Sequence, residues 1–136
     1  MDTDTSGAGP DTGELYAITA VVTQFDVTPE TLVRVLATIR QDTAFNAWYD
    51  ALPIAGVDGT IENRMRGTPA QGNVHAKTGF VANARSLSGY VTTADGHMLI
   101  FSALCNNWTT SVRDIERVQD AIAVDLASMQ LGGASP

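Results

Sequence analysis

A chain of 136 residues, 44% of them hydrophobic, is long enough for one modest core and too short for two. Its formal charge of −7, with eight basic residues against fifteen acidic ones, argues against nucleic acid, which requires clustered cations to neutralise phosphates. No run reaches the ~18 apolar residues of a membrane span, and the single cysteine, Cys105, leaves neither an intrachain disulfide nor a cysteine-built zinc site.

Residues 1–24 read as a flexible lead with a possible extra strand. The opening "MDTDTSGAGPDTG" is acidic and polar, without the charged and apolar regions of a signal peptide. "ELYAITAVVTQF", residues 14–25, is apolar and β-branched, which suits a short strand.

Thr28-Pro29-Glu30 spells a helix start: a hydroxyl N-cap, proline at the first helical position and an acid at the positive dipole end. Leu32, Val33, Leu36 and Ile39 follow at helical spacing, predicting a helix over 29–40. A second helix, 42–52, should bury Phe45, Leu52 and either Trp48 or Tyr49 before stopping at Pro53. Residues 55–72 hold four glycines and a proline, so they form mostly loop, with one helical turn in "GTIENRMRG".

Three strands come next. The first, 73–82, sets Val74, Ala76, Thr78 and Phe80 against His75, Lys77, Gly79 and Val81. The second, 85–93, ends in the Asp-Gly hairpin signature of Thr93-Ala94-Asp95-Gly96. The third, 97–105, is apolar on both faces, as a strand covered on both sides should be. Ser111 then caps a helix over 112–130 with the stripe Ile115, Val118, Ile122, Leu126 and Met129, and a tail follows from Gly132 to 136. The order gives an α+β fold: an antiparallel meander packed by the C-terminal helix. Strand three would have a bare apolar edge and an uncovered second face. Residues 14–25 should supply the cover, folded back within the chain or exchanged in a homodimer.

Lys77-Thr78-Gly79 lies in the first of these strands, and Lys77 is the only lysine. Three letters alone are weak, but a strand, hairpin and long helix around a K-T-G are the setting of the penicillin-recognising enzymes. The segments "LPIAGVDGT", "RMRGTPAQG", "HAKTG" and "SLSGYVTTADG", with the "VTPETLVRVL" helix start, resemble the C-terminal third of the D-alanyl-D-alanine carboxypeptidase/endopeptidases. These are low-molecular-mass penicillin-binding proteins of the class C type. The likeness covers 27 to about 130, within a domain segment placed at 25–131.

The resemblance implies a partial penicillin-binding-protein/β-lactamase-like transpeptidase fold acting on peptidoglycan peptides or β-lactams, in the periplasm or at the cell surface, without a cofactor. It makes Lys77 the ammonium of the third motif, catalytic through its positive potential on the substrate carboxylate. Thr78 would hydrogen-bond that carboxylate, Gly79 would keep the strand edge bare, and the Phe80 N–H would serve as an oxyanion donor. Phe80 stands where the family commonly has threonine.

The rest of the reaction is not in the sequence. None of the seven serines has lysine three residues on, and no S-x-N occurs, so the chain is expected to be a C-terminal piece, inert by itself unless a missing N-terminal portion supplies nucleophile and base. The competing reading is a non-catalytic folded module. Arg64 and Arg66 are read as loop charges and Arg85 as a surface or turn residue. His75 and His97 lack metal or triad spacing and are read as surface or strand residues. Asp58, Asp95 and Asp114 suit turns and caps, Trp108 covers the sheet end, and Cys105 is a buried thiol.

Overall fold

Thr28 starts the first helix as its residue types require. Its Oγ1 accepts from the Thr31 N–H at 3.1 Å, Pro29 occupies the first turn, and Glu30 pairs with Arg34 at 2.9 Å. The computed structural model describes residues 16–20, 28–81 and 83–133. In chain order they form β1 (Tyr16–Ala20), α1 (Pro29–Arg40), α2 (Phe45–Ala51), a short 3-10 turn (Gly59–Ile61), β2 (His75–Val81), β3 (Ala84–Thr92), β4 (Met98–Asn106) and α3 (Val112–Ser128). The flexible lead expected over residues 1–24 lies outside the described residues except at 16–20.

The sheet order is β1-β4-β3-β2, with β2, β3 and β4 an antiparallel meander and β1 parallel to β4. Five residues of β1 register with Leu99 to Ala103, so the segment read as a possible extra strand takes the free edge of β4 within the chain. The second face is covered differently from the expectation. Val33 and Leu36 of α1, with Phe45 and Leu52, pack on Tyr90 and Ile100, and the Tyr90 hydroxyl donates to Leu36 O at 2.7 Å. The amphipathic α1 had the apolar face to do this, and the 14–25 segment was not needed for it.

The other face carries the larger core. Val74, Ala76, Leu87, Val91, Leu99 and Phe101 meet Ala123, Leu126 and Ala127 of α3, with Ala55, Ile61, Met65 and Ala70 of the preceding loop closing one side. Here the expected stripe is corrected in part: Leu126 is buried and Ile122 and Met129 pack on this core as expected, but the stripe is not the most buried side of the helix. Gln119 is buried at 1% exposure while Val118 is 50% exposed, and Ile115, Ile122 and Met129 are only half-buried. The small Ala123 and Ala127 let the helix lie close over Phe101 and Leu99, and ties on its loop side roll the bulkier stripe outward. α2 is shorter than expected because residues 41–44 form a turn in which Asp42 Oδ1 accepts from the Ala44 N–H at 2.8 Å. His75 is a strand residue as expected, the first of β2, but neither histidine is on the surface: both are buried, and His75 stacks on Tyr49 with ring centroids 3.8 Å apart.

Candidate active-site edge

β2 is the outer strand of the sheet, and its first half is already occupied on the outer side. Ile54 bridges His75, and the Ala76 N–H donates to Pro53 O at 3.0 Å. Backbone groups alternate sides along an antiparallel strand, so Thr78 and Phe80 turn their N–H and C=O groups to that same outer side. Among the described residues no other element occupies it there. The result is a short open edge immediately beyond a closed one.

The four motif residues lie on this edge. Lys77 is exposed and its Nζ donates back to Thr78 O at 2.8 Å, which places the ammonium at the open edge. Thr78 Oγ1 donates to Thr60 Oγ1 at 3.0 Å. A Cβ on Gly79 would crowd the hydroxyl of its cross-strand partner Ser86, which would have to rotate away, so glycine is the easiest fit at that position. The Phe80 side chain is 65% exposed.

Arg85, opposite Phe80 in the ladder, is not a plain surface residue. Its guanidinium carbon lies 4.4 Å from the Phe80 ring centroid, and its Nη1 reaches Glu116 Oε1 of α3 at 3.2 Å. On the opposite face of the sheet, Ser88 registers with Lys77 and Ser102 registers with Ser88, and the two serine hydroxyls lie 2.8 Å apart. That pair satisfies two hydroxyls between the sheet and its helices.

The remaining candidates have structural work. Arg64 is no free loop charge: it reaches Asp120 Oδ1, Glu116 O and Gln119 Oε1, tying the loop to α3. Asp58 Oδ1 accepts from the Ile54 N–H at 2.8 Å, a turn role as its position implied. Asp95 accepts from the Thr93 hydroxyl and from the Gly132 and Leu131 N–H groups, and these bonds hold its carboxyl below the usual range. Asp114 lies in the first turn of the helix Ser111 caps, and Trp108 is half-buried. Burial pushes the Cys105 thiol up and leaves it an inert core group. Among the described residues no three His, Cys, Asp or Glu side chains gather as a metal site.

Sequence reasoning missed Thr60, Gln119 and Asn73. Asn73 pins the end of β3 through both its amide atoms, donating to Thr92 O at 2.7 Å and accepting from Thr92 N at 2.8 Å. Thr60 had a signal of sorts, a hydroxyl on an Asp-Gly turn shortly before the motif. The partners of Arg64 lie more than fifty positions away, and no local pattern reveals them.

Residues 23–129 match the D-Ala-D-Ala carboxypeptidase 3 (S13) family. The chain belongs to this family. It is 43% identical over 106 residues to a D-alanyl-D-alanine carboxypeptidase of Actinomadura sp. (strain R39), covering 74% of this chain and 19% of the relative. It is 36% identical over 86 residues to the D-alanyl-D-alanine carboxypeptidase DacB of Haemophilus influenzae, covering 62% and 18%. The structure of penicillin binding protein 4 from Haemophilus influenzae, complexed with a β-lactam, superposes with a TM-score of 0.67 at 28% identity over 76% of this chain and 26% of that one. The chain therefore has the α+β fold of the penicillin-binding DD-peptidases and spans about a fifth of the length of the curated S13 relatives it matches. Both of these relatives are named as D-alanyl-D-alanine carboxypeptidases, and no helix among the described residues is long and apolar enough to cross a membrane.

Proposed function

We propose that this chain forms the substrate-edge wall of a serine DD-peptidase, with β2 receiving the acyl-D-Ala-D-Ala end of a peptidoglycan peptide, or a β-lactam in its place, at the cell surface or in the periplasm. The observation that carries this reading is the open edge beside Thr78 and Phe80, where outward N–H groups, an exposed ammonium and two hydroxyls converge. An extended substrate would add to the edge as a further antiparallel strand. Lys77 would draw in its terminal carboxylate, and the Phe80 N–H would stabilise the oxygen that becomes negative when the carbonyl is attacked.

The wall does not supply the nucleophile. Acyl transfer needs a serine with a base within reach, and no serine of this sequence has lysine three residues on. Hydrolysis would therefore require further polypeptide carrying serine and base. The outward flank of α3, where Ile115, Val118 and Ile122 form an incompletely covered apolar stripe, supports a seat for such a portion. The same lack of a Ser-x-x-Lys favours the alternative, a folded module with no enzymatic role.

Benzylpenicillin separates the readings. The wall predicts amide shifts at Thr78 and Phe80 by NMR with no covalent mass gain in intact-mass spectrometry. Stoichiometric acylation of one serine would show a complete site, and unperturbed β2 amides would favour the inert module.

A further inference from the structure

The ammonium of Lys77 is turned back onto its own strand. Its Nζ donates to Thr78 O at 2.8 Å, and that carbonyl is one of the backbone groups the open edge of β2 presents. An edge with unpaired N–H and C=O groups is a template for another chain, and lysine is one of the residues by which natural edges are kept from pairing. Lys77 is the only lysine of the sequence. It stands directly after Ala76, the last residue whose outer side is taken by Pro53.

The open part of the edge is self-complementary. In an antiparallel pair of two β2 strands centred on Gly79, Thr78 of one copy faces Phe80 of the other, and both turn their backbone groups outward. Each Phe80 N–H would then donate to Thr78 O of the other copy, the carbonyl that Lys77 already holds. Phe80, with its side chain 65% exposed, adds an apolar surface that favours such pairing. The pairing cannot run on toward His75, because Pro53 O has taken the Ala76 N–H and Ile54 bridges His75. A contact this short depends on every bond it makes, so one capped carbonyl in each copy disfavours it.

Charge repulsion between copies does not account for the arrangement. In this register Lys77 lies opposite Val81 of the second copy, which separates the two ammoniums by roughly 13 Å at ~3.3 Å per residue, beyond a Debye length of about 8 Å. The net charge of −7 means that losing a cation raises the repulsion between copies.

We infer that Lys77 is a guard of the open edge: its ammonium caps Thr78 O and keeps a second copy of this chain from adding to β2 as a strand. The inference stands on the geometry of the edge and does not need the peptidase reading.

Light scattering and hydrogen exchange of the Phe80 amide, each followed over rising concentration of the whole chain, test it. Lys77→Met keeps the side chain's length and removes its protons. It should tighten self-association by about 10-fold or more relative to the unaltered protein, the size of one net hydrogen bond gained by each copy. Its Phe80 amide should exchange more slowly as concentration rises. Proline is tolerated in an edge strand where the N–H faces outward, so Phe80→Pro removes the pairing donor at little cost to the sheet. In the Lys77→Met background, Phe80→Pro should return association to the unaltered level, whereas Phe80→Ala, which keeps the donor, should retain most of the gain. A Lys77→Met protein that associates no more tightly, or whose Phe80 amide exchanges equally fast at every concentration, overturns the guard. Equal loss of association with alanine and with proline also overturns it, because the ring and not the backbone would then join the copies.

Discussion

Arg64 donates through Nε to Asp120 Oδ1 at 2.8 Å, joining the loop that precedes the motif strand to the middle of α3. The two side chains are 13% and 24% exposed, and the same guanidinium also holds Glu116 O and Gln119 Oε1. Removing one partner of a buried pair leaves the other charged and unpaired, which typically costs ~3–5 kcal/mol, and partial exposure here brings the expectation to ~2–3 kcal/mol. Arg64→Ala should therefore lower the urea midpoint by that equivalent. Arg64→Lys should recover only part of it, because an ammonium lacks the planar fork. Full recovery with lysine would mean that charge alone, and not the directed bonds, holds the loop.

Two glycines facing opposite neighbours give a graded second prediction. A Cβ on Gly89 would meet His75 O and, at 2.6 Å, Ala76 Cα, both backbone of β2. A Cβ on Gly79 would meet only the Ser86 hydroxyl, which is free to rotate. Overpacking costs ~1–3 kcal/mol and more when backbone must move. Gly89→Ala should thus cost about 3 kcal/mol or more, and Gly79→Ala about 1 kcal/mol. Adding Ser86→Ala should remove the cost at Gly79 in a double-mutant cycle. Equal losses for the two glycines would show that the β2–β3 spacing is softer than the ladder implies.

Much of this architecture was legible because local chemistry decided it. The Thr28-Pro29 start fixes α1, and the Asp95-Gly96 turn sets the β3–β4 hairpin where alternating residues predict it. The K-T-G strand was placed within two residues of its observed ends. What failed was rotation and distance. The stripe on α3 located a helix correctly, but the buried direction was decided by Ala123 and Ala127 against the sheet and by the Arg64 contacts. A polar Gln119 in the core is explicable only once Ala103 O and Arg64 are known to meet its amide. In the site, the four motif residues were legible, while Thr60 joins them only through the fold of the intervening loop.

Asp95 gives a pH dependence with a definite sign. Its carboxylate takes the Thr93 hydroxyl and the Gly132 and Leu131 N–H groups, so its folded pKa is lower than its unfolded one. The group then binds fewer protons folded than unfolded. Its stabilisation is fully present above the ordinary aspartate pKa, about 3.9, and is lost as pH falls through the lower folded value. Asp95→Asn keeps the shape but cannot ionise. Melting curves of the two proteins should converge as pH drops below about 4, with the unaltered protein more stable above that value. Parallel curves down to the acid limit would show that other carboxylates carry the acid response.

The last prediction concerns the strand that closes the sheet. β1 pairs in parallel with the central part of β4, from Leu99 to Ala103, and β4 is buried for most of its length. Without β1, β4 becomes an edge whose backbone groups face solvent and whose side chains are apolar on both faces, the arrangement that invites pairing with another chain. A version beginning at Thr23 should melt at a temperature lower by roughly 5 °C or more, as expected for losing about 1 kcal/mol or more in a domain of this size. It should also show a larger mass by light scattering as exposed edges pair. The full chain satisfies the same edge whether β1 folds onto its own β4 or is exchanged with a second copy, so its mass distinguishes closure from exchange. A truncated protein with unchanged mass and unchanged melting temperature would remove β1 from any edge-covering role.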